Sequence, residues 1–197
     1  MARITMREAI SQALWEEMER DPSVFILGEE VGVWGGTYAV TKGFYDHFGP
    51  ERVRDTPIAE AAIIGAAIGA ALTGLRPVAE LMTINFAFSA MDHIVNQAAK
   101  LHYMFGGQMI LPLVIRAVGG GGRQLGATHS QTPDAIFAHR TGKFHTFERL
   151  RASWKKPMLV APSPNMHTVS NPIILLDNLK STPSGVTNHC EGFLILV

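Results

Sequence analysis

The chain has little cysteine, no net charge and no apolar run long enough to cross a bilayer. Each shortage excludes something. Cys190 is the only cysteine among 197 residues, so no internal disulfide can form, which suits a reducing compartment. It lies in a polar tail and reads as inert. Lys and Arg together number 17, as do Asp and Glu, so the formal net charge is zero. A neutral chain offers no electrostatic case for nucleic acid or an anionic membrane surface. The longest apolar run, Ala61 to Leu75, is broken by glycines. It falls short of the ~20 residues that span hydrocarbon and reads as a core helix. No leader is apparent, because Met1 runs at once into Thr5-Met6-Arg7-Glu8, a capping-box pattern. No solenoid-length repeat is present.

Several site motifs are missing too. No Gly-x-Gly-x-x-Gly follows a first strand, and no Lys-Ser or Lys-Thr pair comes directly after Gly119–Gly122. Dinucleotide and P-loop phosphate sites are therefore excluded, and the glycine run reads as a loop at a sheet edge. Eight histidines are present, but no His-Glu-x-x-His and no Cys/His cluster. His93 and His102 stand nine apart on one helix, too far to share a metal.

What is there alternates regularly. Ala9, Ile10, Ala13, Leu14 and Met18 form an apolar stripe that predicts a helix from Thr5 to about Glu19. Val24–Leu27 is a short continuous apolar run, as in a strand buried on both faces. Gly28-Glu29-Glu30-Val31-Gly32 follows at its C-terminal end, where ligands sit in open α/β sheets. Thr41–Phe48 predicts a short helix, Val53-Arg54 a weak strand, and Pro77–Leu81 a further strand. The polar and aromatic segment Met82–Phe86 comes next. Met91, Ile94, Val95, Ala98 and Leu101 mark another helix, Leu111–Ile115 a strand, and Thr132-Pro133-Asp134 the start of a short helix to about His139. The alternation predicts an α/β fold with three layers, a mostly parallel sheet carrying helices on both faces. Beyond His139 the texture changes. Leu159–Ala161 and Ile173–Leu176 could each be strands, and Ser181–Gly192 is rich in turn residues.

Asp55–Pro77 organises the rest. Pro57 suits a helix start, Thr56 or Asp55 can cap it, and Gly74 with Pro77 marks its end. Ala62, Gly65, Ala66, Gly69 and Ala70 give this helix a face against which another backbone can pack closely. Glu60 is the one carboxylate of the stretch. It is either a first-turn acid favoured by the helix dipole and lying in solvent, or a buried group kept for chemistry. His129, in Thr128-His129-Ser130-Gln131 beyond the glycine run, can serve as a proton shuttle.

Five blocks occur in order: Gly28-Glu29-Glu30-Val31, Asp55-Thr56-Pro57-Ile58-Ala59-Glu60, Gly74-Leu75-Arg76-Pro77, Met82-Thr83-Ile84-Asn85-Phe86 and His129-Ser130-Gln131. Together, over about residues 3–139, they closely resemble the β subunit of the thiamine-diphosphate-dependent pyruvate dehydrogenase component. The Met82–Phe86 block is like the pyruvate and acetoin enzymes and less like the branched-chain 2-oxoacid enzymes. The resemblance implies a transketolase-like pyrimidine-binding domain over 1–139. It implies oxidative decarboxylation of pyruvate with acetyl transfer to lipoyl, in a heterotetramer of two α and two β subunits. Thiamine diphosphate would lie at the α/β interface. By the same resemblance the α subunit grips the diphosphate through magnesium and a Gly-Asp-Gly motif, which this chain does not contain.

Carried over by motif, Glu60 hydrogen-bonds the aminopyrimidine, Phe86 stacks on it, and Met82 and Ile58 line the same pocket. Glu29 is an acid in the polar network near the cofactor, and His129 handles protons during acyl transfer. Leu113 aligns with one backbone ligand of a potassium site. The implied partners are the α subunit, a second β subunit, and the lipoyl domain and acyltransferase core of the complex, with neither nucleic acid nor membrane. The implied location is bacterial cytoplasm, or an organelle if plastid-encoded. Residues 140–197 depart from the family as a divergent tail that can complete the sheet in part, and the family's C-terminal domain has no counterpart. Alone, the chain is expected to be inactive. Competing expectations are an acetoin or branched-chain 2-oxoacid dehydrogenase subunit, a non-catalytic fragment of such a subunit, and an unrelated α/β nucleotide-binding module.

Overall fold

The computed structural model describes residues 5–119, 125–133, 136–137, 174–176 and 192–196. Helix α1 spans Met6–Arg20, and the expected capping box is complete. Thr5 Oγ1 accepts from the Glu8 amide, and Glu8 accepts from the Thr5 amide at 2.7 Å. Strand β1 (Val24–Gly28) is buried throughout. Helix α2 covers only Phe44–Phe48, since the left-handed Gly43 precedes it and the expected first turn from Thr41 is not helical. Strand β2 (Val53–Asp55) leads to helix α3 (Glu60–Leu72). α3 ends as expected at Gly74, whose φ is +95°. The Gly74 amide donates to Ala71 and the Leu75 amide to Ala70, the paired bonds of a glycine-terminated helix.

Strand β3 (Arg76–Leu81) is followed by a 3₁₀ segment at Ile84–Ala90, a π-helical segment at His93–Ala98 and a short helix α4 (Leu101–Met104). The apolar stripe from Met91 to Leu101 does face the core, but on a π-wound backbone and not on one regular helix. Strand β4 is Val114–Gly119, three residues later than Leu111–Ile115 predicts. Pro112 lacks an amide for a central ladder, so pairing begins beyond it. Strand β5 (Ile174–Leu176) falls within the expected Ile173–Leu176 run, and β6 (Gly192–Leu196) has no counterpart among the expected strands. The expected strand at Leu159–Ala161 and most of the helix after Thr132 lie outside the described residues, as do Gly120–Gly122.

The sheet order is β2-β1-β3-β4-β6-β5. The first four strands are parallel, and β6 and β5 join antiparallel. Alternate side chains go to opposite faces. Phe25, Leu27, Ala79, Leu81, Ile115 and Ala117 pack against α3 and the segments after β3. Val24, Ile26 and Val78 pack against Met18 of α1 and Phe44 of α2. Helices thus cover both faces, as the alternation predicts.

Candidate functional site

The strand order places the site. The chain leaves β1 for β2 on one side and returns to β3 on the other, so connections part above the C-terminal ends of β1 and β3. Such a parting opens a crevice in parallel sheets. Glu29 follows β1 directly, Met82 follows β3, and Glu60 opens α3 after β2. Topology alone brings these three segments to one end of the sheet.

Glu60 is the first residue of α3, and no side chain caps that helix. The expected caps are used elsewhere or not at all. The Asp55 carboxylate accepts from the Gly32 amide at 2.6 Å, fastening the turn after β1. A Cβ at Gly32 would lie 2.6 Å from that carboxylate, so any side chain there would have to displace the Asp55 carboxylate. Thr56 Oγ1 is buried with no hydrogen-bond partner among the described residues, while its amide donates to the Gly28 carbonyl. Glu60 is half-buried, not free in solvent. The Ser89 hydroxyl lies 3.3 Å from Glu60 Oε2 and 2.8 Å from the Phe86 carbonyl, and can donate to one at a time.

Glu29 is half-buried as well, and burial raises its carboxyl above the ordinary range. Repulsion from Glu60, then from Glu30, adds to the same shift. Glu30 adopts a left-handed φ of +59°, and its carbonyl accepts from the Gly36 amide at 2.6 Å, so the chain doubles back tightly after Glu29.

Phe86 lies on the 3₁₀ segment, half-buried, with its ring edge-to-face against His129 at 5.1 Å and 88°. His129 Nδ1 is 2.7 Å from Thr128 Oγ1. The hydroxyl donates if Nδ1 is unprotonated, which leaves Nε2 carrying the proton. The Ser130 hydroxyl is buried with no hydrogen-bond partner among the described residues. Met82 is half-buried beside β3, and Ile58 stands 76% exposed between β2 and α3. Leu113 is buried just before β4, at the opposite end of the sheet, and joins none of these residues. Among the described residues, no group of three His, Cys, Asp or Glu side chains is arranged to hold a metal ion.

Two features have no counterpart in the sequence reading. The first is the linkage of Thr83, Asn85 and Gln131, in which Asn85 Oδ1 accepts from the Gln131 amide at 3.1 Å. Its signal was a Thr placed two residues before Asn at the head of a short helix. The second is a buried ion pair. Arg116 and Glu80 are 1% and 4% exposed, with Arg116 Nε 3.2 Å from Glu80 Oε2 and Nη2 also in contact. Arg116 is the one charge in β4, and Glu80 shares the otherwise apolar β3 with Arg76 at its start, which was the available signal. Gly36 rests on this pair, since a Cβ there would meet Glu80 Oε1 at 3.0 Å. The face of α3 that is poor in side chains is partly covered. His93 lies where a Gly65 Cβ would meet it at 3.1 Å, while Ala62, Ala66 and Gly69 remain exposed.

A half-buried carboxylate, an aromatic face, a histidine and orphaned hydroxyls form a donor and acceptor set suited to a flat heteroaromatic ring. Residues 2–160 match the family profile described as transketolase, pyrimidine binding domain. The chain is 54% identical over 139 residues to the mitochondrial pyruvate dehydrogenase E1 component subunit beta-2 of Oryza sativa subsp. japonica, covering 71% of this chain and 37% of that protein. It is 46% identical over 176 residues to the pyruvate dehydrogenase E1 component subunit beta of Rickettsia conorii, covering 89% of this chain and 52% of that one. Against the subunit of the same name from Chaetosphaeridium globosum it is 53% identical over 137 residues, 70% of this chain and 42% of that protein. The chain therefore spans about half the length, or less, of these relatives. Among solved structures it resembles a split gene transketolase described as an inactive beta4 tetramer, with a TM-score of 0.53 and 26% identity over 72% of this chain and 41% of that one.

Proposed function

The chain belongs to the transketolase pyrimidine-binding domain family, and from that membership we propose that it supplies the pyrimidine half of a thiamine diphosphate site in a pyruvate dehydrogenase E1 β subunit. The names of the relatives favour pyruvate over acetoin or a branched-chain 2-oxoacid, and the family match argues against an unrelated nucleotide-binding module. The observation that carries the reading is the convergence of Glu60, Phe86 and His129 at the strand ends, with Ser89 lying between Glu60 and the Phe86 turn.

The residues fit the cofactor's pyrimidine. Phe86 offers a ring for stacking, worth on the order of 1 kcal/mol beyond buried area. Glu60 offers a carboxylate to a ring nitrogen and holds a proton there. Thr56 and Ser130 bring buried hydroxyls with no partner among the described residues. Met82 and Ile58 supply apolar lining. Bound thiamine diphosphate supplies a carbon nucleophile that takes up the electrons released when a 2-oxoacid loses carbon dioxide. Glu60 keeps its proton in register with the ring, Glu29 sets the local charge, and His129 moves a proton at Nε2 during acyl transfer to lipoyl.

The diphosphate and its magnesium fall to an α subunit, because this sequence has no Gly-Asp-Gly. The assembly in this reading pairs two such subunits with two α subunits and docks on a lipoyl-bearing acyltransferase core. Residues 1–139 form the pyrimidine-binding domain, and a potassium ion would take the Leu113 carbonyl as one ligand. The test is Glu60→Gln in the assembled enzyme. Turnover should fall about 10²–10⁴-fold, since general acid–base steps are worth that much. A variant keeping more than about a tenth of the rate would refute the role of Glu60.

A further inference from the structure

We propose that Asn85 is the positioning residue that holds His129 against Phe86, joining the histidine loop and the aromatic turn into one unit. Asn85 is buried, with 7% of its surface exposed, at the end of the sheet where β3 gives way to the 3₁₀ segment. Its side chain has both of its polar ends committed. Asn85 Nδ2 donates to Thr83 Oγ1 at 2.8 Å, and the Asn85 amide donates to the same oxygen at 3.1 Å. These two bonds lock the rotamer and the direction of the carboxamide. Asn85 Oδ1 then accepts from the Gln131 amide at 3.1 Å, across 46 residues of sequence.

Gln131 is two residues beyond His129, and Phe86 is one residue beyond Asn85. The hydrogen bond therefore closes a small ring: Phe86 and Asn85 on one side, Gln131 and His129 on the other, with the edge-to-face contact of 5.1 Å completing it. Among the described residues of the loop, His129 has a long backbone bond, 3.3 Å to the Gly126 carbonyl, and its Thr128 neighbour. Gly126 has a φ of +84°, and no described residue beyond its chain neighbours lies within 4 Å of where its Cβ would be. On the Gln131 side, Asn85 supplies a restraint from outside the loop. A carboxamide suits the task because it donates to Thr83 and accepts from Gln131 at once without bringing charge beside the imidazole.

The proposal rests on the role given to His129 above, but its test does not use turnover. The full 197-residue chain is compared as wild type, Asn85→Leu, which keeps the volume and breaks both bonds, and Asn85→Asp, which keeps the acceptor. Two rates are read by mass spectrometry: amide hydrogen exchange at Gln131 and carbethoxylation of His129. Ala117 in β4 and His47 on α2 are the respective controls. In Asn85→Leu the Gln131 exchange should rise about tenfold, the equivalent of one lost hydrogen bond. His129 should react several-fold faster, with Ala117 and His47 unchanged. Asn85→Asp should return both rates toward wild type. A residue that only stabilised the fold would lower the melting temperature and leave His129 reactivity where it was. Unchanged rates in Asn85→Leu would overturn the proposal. If that variant does not fold, Thr83→Val releases the carboxamide from its other end and should raise the same two rates; unchanged rates there overturn it equally. Raised rates alongside full activity of a His129→Ala enzyme would keep Asn85 in this role and remove His129 from the chemistry.

Discussion

Replacing Arg116 by Met would strand a carboxylate in the middle of the sheet. Glu80 is 4% exposed on β3, and its partner Arg116, 1% exposed, is on the neighbouring strand in direct register with it. Both face the side of the sheet covered by α1 and the loop after β1. Water cannot replace the guanidinium there, so the loss is that of a broken buried pair, about 3–5 kcal/mol. Domain stabilities are themselves only about 5–15 kcal/mol. With a urea dependence of about 2 kcal/mol per molar, the unfolding midpoint should drop by about 2 M. The paired substitution Glu80→Met with Arg116→Met removes both charges and keeps volume. It should recover most of the loss, since replacing a whole buried pair with apolar groups is neutral or stabilising by about 1–4 kcal/mol. The assay is urea unfolding of the four proteins of the cycle, followed by circular dichroism. A single substitution costing under about 1 kcal/mol, or a double variant as unstable as the sum of the two singles, would refute the reasoning. Because Gly36 sits on Glu80, the single variants should also loosen the turn that carries Glu29.

Phe86→Ala should weaken thiamine diphosphate binding in the assembled enzyme about fivefold, the equivalent of roughly 1 kcal/mol of stacking; calorimetric titration checks this, and an unchanged dissociation constant contradicts the stacking role. His129→Ala should lower transfer to lipoyl about 10²-fold while leaving reduction of an artificial acceptor nearly intact; equal losses in the two assays would place the histidine elsewhere in the cycle. Glu29 binds its proton more tightly folded than unfolded, so it favours folding below its unfolded value and loses that contribution as pH rises through the raised folded value. Glu29→Gln should therefore raise the thermal midpoint at pH 7 and leave it unchanged at pH 4, as followed by differential scanning fluorimetry.

Much of this molecule is readable from local chemistry. The capping box at Thr5 and Glu8, the glycine stop at Gly74, and the buried runs at Val24 and Pro77 depend on neighbours within a few residues, so their outcome was settled in the sequence. The motifs carrying Glu29, Glu60, Phe86 and His129 were equally visible. Their meeting was not. Strand order, which no short stretch encodes, puts the ends of β1 and β3 side by side and brings Glu60 near Glu29. The capping of α3 shows the same limit. Asp55 and Thr56 had the chemistry of a cap for a helix starting at Pro57, but α3 starts three residues later at Glu60, behind Ala59, and the Gly32 amide takes the Asp55 carboxylate from 23 residues away. β4 starts later than its apolar run because Leu111 and Pro112 share the apolar character of the strand without its ladder. Asn85 and the pair of Glu80 with Arg116 are ordinary residues in sequence. Only tertiary structure makes them a clamp and a buried ion pair, because their partners arrive from 46 and 36 residues away and burial then removes the water that would otherwise serve them.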